Sequence, residues 1–326
     1  MSQSSWSSWN LHSTSALQAV LSQSNGRRRL TLALLSAVAV AGTLMVAVLV
    51  VRRAKARSRL LTRPDQVHMV WLEHREAVTH NVRLLRFALP YQSQVVLGVP
   101  VGQHLFLRAR LGGRLVVRPY TPVSGPEQRG SFDLIVKVYS RGTSFTFPAG
   151  GTMSQHLDHL RIGDPVEVQG PKGAFIYQGQ GEFSFPNSYR ASVRASTIGL
   201  VAAGSGVTPI LQLLRHIFSR AEDRTVVLMV DVNSSERDII AYEELEELAR
   251  RFPTRFRVCH VLSKLPDYST PSYQEGPLSQ ELMAEHLPPP GPEVLLLVCG
   301  PPRLVSEICR PALKTIGHDE SRILRY

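Results

Sequence analysis

Several things are scarce in this chain, and each shortage narrows what the protein does. Cysteine is rare: Cys259, Cys299 and Cys309 are three in 326 residues, an odd set without a Cys-x-x-Cys spacing. That excludes a disulfide framework, implies no metal, and fits a reducing compartment. Carboxylates are missing from the first 64 positions, which hold nine arginines and lysines; the first acidic residue is Asp65. The formal charge of +11 therefore belongs to the N-terminal segment, because residues 65–326 carry 28 basic and 26 acidic side chains, a net of +2. No basic groove for nucleic acid follows from that distribution. Position 2 is serine, so the glycine needed for N-myristoylation is absent. A Gly-x-Gly-x-x-Gly fingerprint is also lacking, which argues against a plain Rossmann dehydrogenase.

What is present begins with an apolar run. Residues 30–51 are uncharged, and as a helix they would span roughly 33 Å against a bilayer core of ~30 Å. Arg27–Arg29 flank the run on one side and five basic residues between Arg52 and Arg59 on the other. The bias places the C-terminal side in the cytosol. A cleaved signal peptide ending near Ala39 would leave much of the run unexplained, and a buried core helix would not carry flanking arginines. The expectation is a transmembrane helix over 30–51, preceded by a disordered tail (1–29) and followed by a basic linker (52–65). The acid-poor tail also suits a mitochondrial address, so the membrane is either that of the endoplasmic reticulum or the mitochondrial outer one.

From Val67 the pattern becomes short and β-like, with turn signals at Gly98, Gly112-Gly113, Gly125-Pro126, Gly163-Asp164 and Gly170-Pro171. Such spacing predicts an antiparallel barrel or sandwich over 66–182. Within it lies Arg118-Pro119-Tyr120-Thr121-Pro122-Val123-Ser124. The prolines hold this stretch extended, so Arg118, Tyr120 and Pro122 would share one face and Thr121 the other. A guanidinium beside an aromatic plane suits a ligand with a phosphate and a flat ring, although a strand end with a paired arginine has the same composition. About thirty residues on, Gly150-Gly151-Thr152-Met153-Ser154 opens a short helix whose free N–H groups suit an anion, as would any glycine turn into a surface helix.

Residues 183–195 are polar, contain Pro186 and read as a linker. A strand–turn–helix unit follows: Ser196 to Ala203, then Gly204-Ser205-Gly206-Val207-Thr208-Pro209, then a periodic apolar stretch to Phe218. Glycines let the backbone approach a ligand and Pro209 suits the first helical turn. Thr225 to Val232 and Arg255 to Leu262 read as further buried strands. Asp238 stands where a carboxylate would accept from ribose hydroxyls, or alternatively where it would cap the next helix. Val294 to Cys299 is a parallel-type strand that breaks at Gly300-Pro301, and ligands gather beyond such ends. The whole of 196–326 therefore reads as an α/β parallel-sheet domain.

Taken together, Arg-Pro-Tyr-Thr-Pro-Val-Ser followed by Gly-Gly-x-Met-Ser, then Gly-x-Gly-x-Thr-Pro and Cys-Gly-Pro-Pro, resembles the NADH–cytochrome b5 reductase family of the ferredoxin-reductase-like flavoproteins. The resemblance covers roughly residues 66–326. It implies an FAD-binding β-barrel, an NADH-binding α/β domain and hydride transfer from NADH to FAD, then single electrons to cytochrome b5 or a similar haem protein. By the same resemblance Arg118, Pro119, Tyr120, Gly151, Thr152, Met153 and Ser154 hold the flavin nucleotide, and Thr121 sits near the reactive ring nitrogen. Ile135, Lys137 and Tyr139 flank flavin and nicotinamide. Gly204, Ser205, Gly206, Thr208, Pro209, Asp238, Cys299, Gly300 and Pro301 take the NADH, with Thr121, Lys137 and Cys299 nearest the chemistry. Tyr326 would cover one flavin face. His104 and His156 read as structural.

The chain departs from the family pattern at Ala203 (usually glycine), Ser205 (usually threonine) and Thr152 (commonly lysine). The stretch 184–194 also lacks the lysines that help dock an acidic haem protein, so a quinone is the other acceptor to weigh. The expected enzyme is a monomer held to lipid by its N-terminal helix.

Overall fold

The computed structural model describes Gly42, Met45 and residues 59–90, 95–142, 148–186, 188–268, 270 and 272–326. The chain divides into two units, Met1–Arg57 and Ser58–Tyr326. The expected tail and nearly all of the expected membrane helix lie outside the described residues; of the latter only Gly42 and Met45 are described, and both are helical. Among the described residues no helix is long and apolar enough to cross a membrane. The basic linker is not wholly free chain. Leu60 and Leu61 donate backbone hydrogen bonds to Val96 and Leu97, and Leu61 is buried because two leucines at the end of a basic run have an apolar wall to join.

Within Ser58–Tyr326 the first lobe is a six-stranded sheet: β1 (Val67–Thr79), β2 (Val82–Ala88), β3 (His104–Leu111), β4 (Arg114–Tyr120), β5 (Ser131–Lys137) and β6 (Pro165–Lys172). Its order is β4-β3-β6-β1-β2-β5 and the pairings are antiparallel, as the alternation predicted. Gly112 and Gly113 form the two-residue hairpin between β3 and β4, both with positive φ (55° and 77°). Alternate residues (Val70, Leu72, Leu105, Leu107, Leu134) face a core that also takes Phe87 and Phe132, stacked at 5.5 Å. The chain beyond β4 meets β5 and so closes one corner of the barrel. There the Val123 amide donates to Asp133 (2.9 Å) and the Asp133 amide to Ser124 Oγ (3.1 Å). Helix α1 (Thr152–His159) packs on β4 and is tied to Tyr139, beyond the end of β5, so it occupies the opening between the edge strands.

A small antiparallel sheet comes next, of β7 (Ile176–Gly179), β8 (Glu182–Ser184) and β9 (Val193–Arg194). The stretch 183–195 is therefore partly sheet rather than a plain linker. Phe183 and Phe185 are buried against Phe175 and Tyr177, and Arg190 lies 4.3 Å over the Phe185 ring. Polar composition concealed two aromatic anchors.

The second lobe is a parallel sheet of β10 (Thr197–Ala203), β11 (Val226–Ser235), β12 (Phe256–Lys264), β13 (Tyr273–Glu275), β14 (Val294–Cys299) and β15 (Ile323–Arg325). Its order, β13-β12-β11-β10-β14-β15, turns back at β10, so the crevice beyond the β10 and β14 ends is a switch point. The helices are α2 (Val207–Phe218), α3 (Tyr242–Arg251), α4 (Gln280–His286) and α5 (Arg310–Ile316).

One apolar core runs through the seam between the lobes, joining Val82, Val101, Val123 and Ile135 of the first to Ile210, Leu211 and Leu214 of α2. Polar contacts in the seam fix the alignment. The Gly102 amide donates to Gln212 (2.9 Å), and Arg215 donates to the Val123 carbonyl (2.6 Å) while forking onto Glu244 (2.7 Å twice).

Asp223, with no exposed surface, ties the small sheet to the second lobe by accepting from Tyr177 (2.7 Å), Gln180 N (3.0 Å) and Thr225 Oγ1 (2.6 Å). Burial by itself would raise its carboxyl, but hydrogen bonds from Thr225, Tyr177 and Gln180 outweigh that and hold it below the usual value. A depressed carboxyl contributes stability above its unfolded pKa and forfeits it as pH falls through the folded one. Asp223→Ala is expected to remove about 3 kcal/mol at neutral pH and to flatten the loss of stability below about pH 4. Denaturant unfolding of both proteins across that range measures it.

Candidate functional site

The edge of the first lobe offers donors. Arg118 is exposed at the end of β4 and bonds only its own chain, at the Val117 carbonyl (2.8 Å). Tyr120, two residues on, leans on the core, with its hydroxyl pushed to higher pKa by burial. Opposite them α1 begins at Gly151 without a side-chain cap and without an acidic residue in its first turn. The amides of Thr152, Met153 and Ser154 thus lack helical acceptors. The side chains there are committed elsewhere. Met153 is in the core; Ser154 Oγ accepts from the Tyr139 amide (3.1 Å) and donates to the Gly151 carbonyl (3.0 Å). A methyl on Gly151 would sit 2.6 Å from Ser154 Oγ, so the bare backbone is what α1 presents. Pro119 faces away from Arg118, and Pro122 is buried rather than aligned with it, because the strand ends at Tyr120. Thr121 is buried behind the edge.

On the second lobe, β10 passes through a 3-10 turn, Gly204–Gly206, straight into α2. The two glycines do different work. Gly204 has φ +52° with open space around its missing side chain. Gly206 has an ordinary φ, but a Cβ there would lie 2.4 Å from the Cys299 carbonyl oxygen and 2.9 Å from the Gly300 nitrogen. The turn is thereby pressed against the end of β14. A Cβ on Gly300 would in turn meet the Ala203 methyl at 2.8 Å. Thr208 Oγ1 donates to the Ser205 carbonyl (3.1 Å), holding the turn, and Pro209 is buried in the first helical turn. Burial pushes the Cys299 thiol up to about 12, with the Arg325 cation pulling the other way, so it stays protonated. Cys259 and Cys309 are buried. Pro301 is exposed at the start of the helix after β14.

At the site, too, side chains reach from the first lobe to the second. Lys137 Nζ is 3.1 Å from Asp238 Oδ1, both groups largely buried, and Tyr139 Oη is 2.9 Å from Ser205 Oγ. Asp238 also accepts from Ser235 Oγ (2.8 Å) and, at 3.5 Å, from Asn81. Burial works to raise its carboxyl, but the bonds from Ser235 and Lys137 and the lysine charge leave it lowered. Helix capping is not its role, since α3 begins only at Tyr242, behind Ala241 with φ +60°. Tyr326, carried in by β15, packs edge-on against Phe175 at 4.9 Å; its hydroxyl is buried without a partner and raised in pKa by burial and then by Cys299.

The predicted residues thus form two facing groups: Arg118, Tyr120, Lys137, Tyr139 and the α1 amides on one lobe, Gly204–Thr208, Asp238, Cys299, Gly300 and Tyr326 on the other. Ile135, Met153 and Pro209 support from the core. Sequence reading missed Asn81, Gln212 and Arg215, which have no motif signal: one lies in a β-turn and two on a helix face that only the fold turns towards the other lobe. Among the described residues no group of His, Cys, Asp or Glu is arranged to hold a metal ion.

Known proteins resemble this chain in sequence and fold. Residues 69–177 match an oxidoreductase FAD-binding domain family, and residues 200–310 an oxidoreductase NAD-binding domain family. NADH-cytochrome b5 reductase 3 of Rattus norvegicus is 41% identical over 269 residues, 82% of this chain and 88% of the relative. NADH-cytochrome b5 reductase 1 of Homo sapiens is 40% identical over 280 residues, 85% of this chain and 90% of the relative. The cytochrome b5 reductase domain of Ulva prolifera nitrate reductase superposes with a TM-score of 0.76 at 31% identity, over 81% of this chain and 98% of that one. Matched FAD- and NAD-binding domains, and relatives matched over most of their length, lead to one assignment: the chain belongs to the NADH–cytochrome b5 reductase family of FAD- and NAD-binding oxidoreductases.

Proposed function

We propose that the protein oxidises NADH through a bound FAD and delivers electrons singly to cytochrome b5 or a similar haem protein, as a monomer anchored in a membrane by residues 30–51. We assign the flavin nucleotide to the lobe over 66–182 and NADH to 196–326. The observation that carries this reading is the pair of contacts from Lys137 and Tyr139 onto Asp238 and Ser205, because they bring the open edge of the sheet against the switch-point crevice.

The residues present suit both groups. Arg118 and the free α1 amides form a donor set for a pyrophosphate. The Gly204–Gly206 turn, whose own amides precede the helical hydrogen bonds, forms a second one, and the orphaned Tyr326 hydroxyl follows β15, the neighbour of β14. Bound here, FAD would supply acceptance of a hydride from NADH and release of electrons one at a time. This chain's residues would align the two rings and exclude water; Tyr326 would cover one side of the crevice, and the protonated Cys299 at the end of β14 would line it without acting as a nucleophile. No side chain needs to move a proton. Anchorage in the acceptor's own membrane, of the endoplasmic reticulum or outer mitochondrion, would raise its effective concentration.

Asp238 is the residue assigned to coenzyme choice. Its carboxylate would accept from the ribose of NADH and repel the 2′-phosphate of NADPH. Asp238→Ser is expected to narrow the NADH-to-NADPH preference in kcat/KM by at least about tenfold, since Lys137 then loses its partner and becomes available to a phosphate. An unchanged ratio would leave Asp238 as a lobe contact only. The acceptor is tested by steady-state oxidation of NADH with cytochrome b5 against a soluble quinone. Faster turnover with the quinone would overturn the haem-protein assignment while leaving the flavoenzyme reading intact.

A further inference from the structure

The first lobe has an outer face that the reaction does not use. Val67, Met69 and Trp71 alternate along β1 with the buried Val70 and Leu72, and they remain 40%, 40% and 39% exposed in the middle of the sheet. The register continues their rows across the sheet. Val67 stands opposite Gln169 and then Phe106 and Pro119; Met69 stands opposite Glu167 and then Arg108 and Val117. Trp71 is opposite Pro165, and Leu115 (46% exposed) pairs with Arg110 at the far edge. Isolated exposed apolar residues need no explanation, but a two-dimensional array on one sheet face does.

Its charges are mainly basic: Arg108 and the exposed Arg110 lie in it, and Lys172 lies 6.0 Å over the Phe106 ring. Its acids are Glu167, 3.6 Å from Arg108, and Glu73, which continues the outward alternation of β1 beyond Trp71. Apolar side chains interleaved with arginine and lysine, with tryptophan among them, suit the headgroup region of an anionic bilayer. The chain also arrives here from the right direction in sequence. Arg52 to Ser58 separate the uncharged run from the first residues bound to the lobe, Arg59 to Leu61, a reach of at most about 25 Å. The basic linker's last residues are fastened to this face, where Gln169 donates to the Pro64 carbonyl (3.0 Å).

We propose that this face of the first lobe rests on the lipid headgroups, with Met69 and Trp71 reaching into the boundary; the proposal rests on the membrane-anchor reading given above. Its geometry is compatible with turnover. Along β4 the side chains of Val117 and Pro119 point to this face, while Arg118 and Tyr120 point to the other, so contact with lipid leaves the cofactor side uncovered.

The chain has three tryptophans, Trp6, Trp9 and Trp71, so the W6F/W9F full-length protein reports Trp71 alone. It would be reconstituted in phosphatidylcholine vesicles with about one third phosphatidylserine, brominated on the acyl chains or not. Emission at least about twofold lower in the brominated vesicles is expected, and V67E/M69E should restore it without loss of flotation or NADH oxidation. Protein that floats with the vesicles but shows equal Trp71 emission in both overturns the proposal and spares the anchor. Protein that does not float overturns the anchor and the proposal with it. Quenching by an added haem protein but not by bromine gives the face to a protein partner and likewise overturns it.

Discussion

Gly206→Val is expected to lower kcat/KM for NADH at least about a hundredfold while leaving the flavin spectrum and its occupancy intact. The reason is contact, not conformational freedom. Gly206 has an ordinary φ, so valine meets no backbone strain there; its Cβ would instead overlap the Cys299 carbonyl at 2.4 Å. The obstacle is main chain, which cannot rotate aside, so the turn must leave β14 and carry with it the crevice in which we place the nicotinamide. A hundredfold loss corresponds to about 2.7 kcal/mol of transition-state stabilisation, a modest sum for an ångström of misalignment between rings. Gly204 offers the contrast. Nothing surrounds its missing side chain, but φ +52° disfavours most residues. Gly204→Asn, whose side chain tolerates that region, should retain most activity. Should Gly206→Val oxidise NADH normally, the turn does not border the coenzyme.

Arg118→Ala is expected to weaken FAD binding ten- to a hundredfold, or about 1.5–3 kcal/mol, by removing charge-assisted donors to a phosphate. The fold should be unaffected, because the guanidinium is exposed and its hydrogen bond is to its own neighbour, Val117. That distinguishes it from Arg215, which is bound into the seam on both sides and whose loss would disturb the lobes. Arg118→Lys keeps the charge without the planar fork and should recover part of the affinity. Fluorescence of released flavin during dilution measures both variants. Full occupancy in Arg118→Ala would remove this residue from the cofactor site.

Much of this was legible in the chain, for identifiable reasons. Strand β14 was predicted to the residue, because a Gly-Pro-Pro break ends it, and the Gly112-Gly113 turn marked the hairpin that ends β3. The strand–turn–helix at Gly204 was equally plain, since tight backbone approach admits so few residue types. Less visible was whatever depended on partners far away in sequence. Phe183 and Phe185 looked like a linker until Phe175 and Tyr177 packed on them. Leu60 and Leu61 looked like the tail of a basic run. Residues 273–286 carry no strong periodicity, and neither β13 nor α4 was foreseen, although Ser279 does cap α4 by accepting from Leu282. At the site itself, residue types were readable but their commitments were not: the side chain of Ser154 faces its own backbone, and that of Met153 the core.

The bridges made by Lys137 and Tyr139 have a further implication. Both arise from one short peptide stretch, on side chains two places apart, and they land on the two segments assigned to different ends of the coenzyme. Whatever shifts that stretch displaces both landings together. On the proposed assignment, selectivity between dinucleotides and ring-to-ring spacing are mechanically a single trait, and an engineer who retunes one should expect to re-optimise the other.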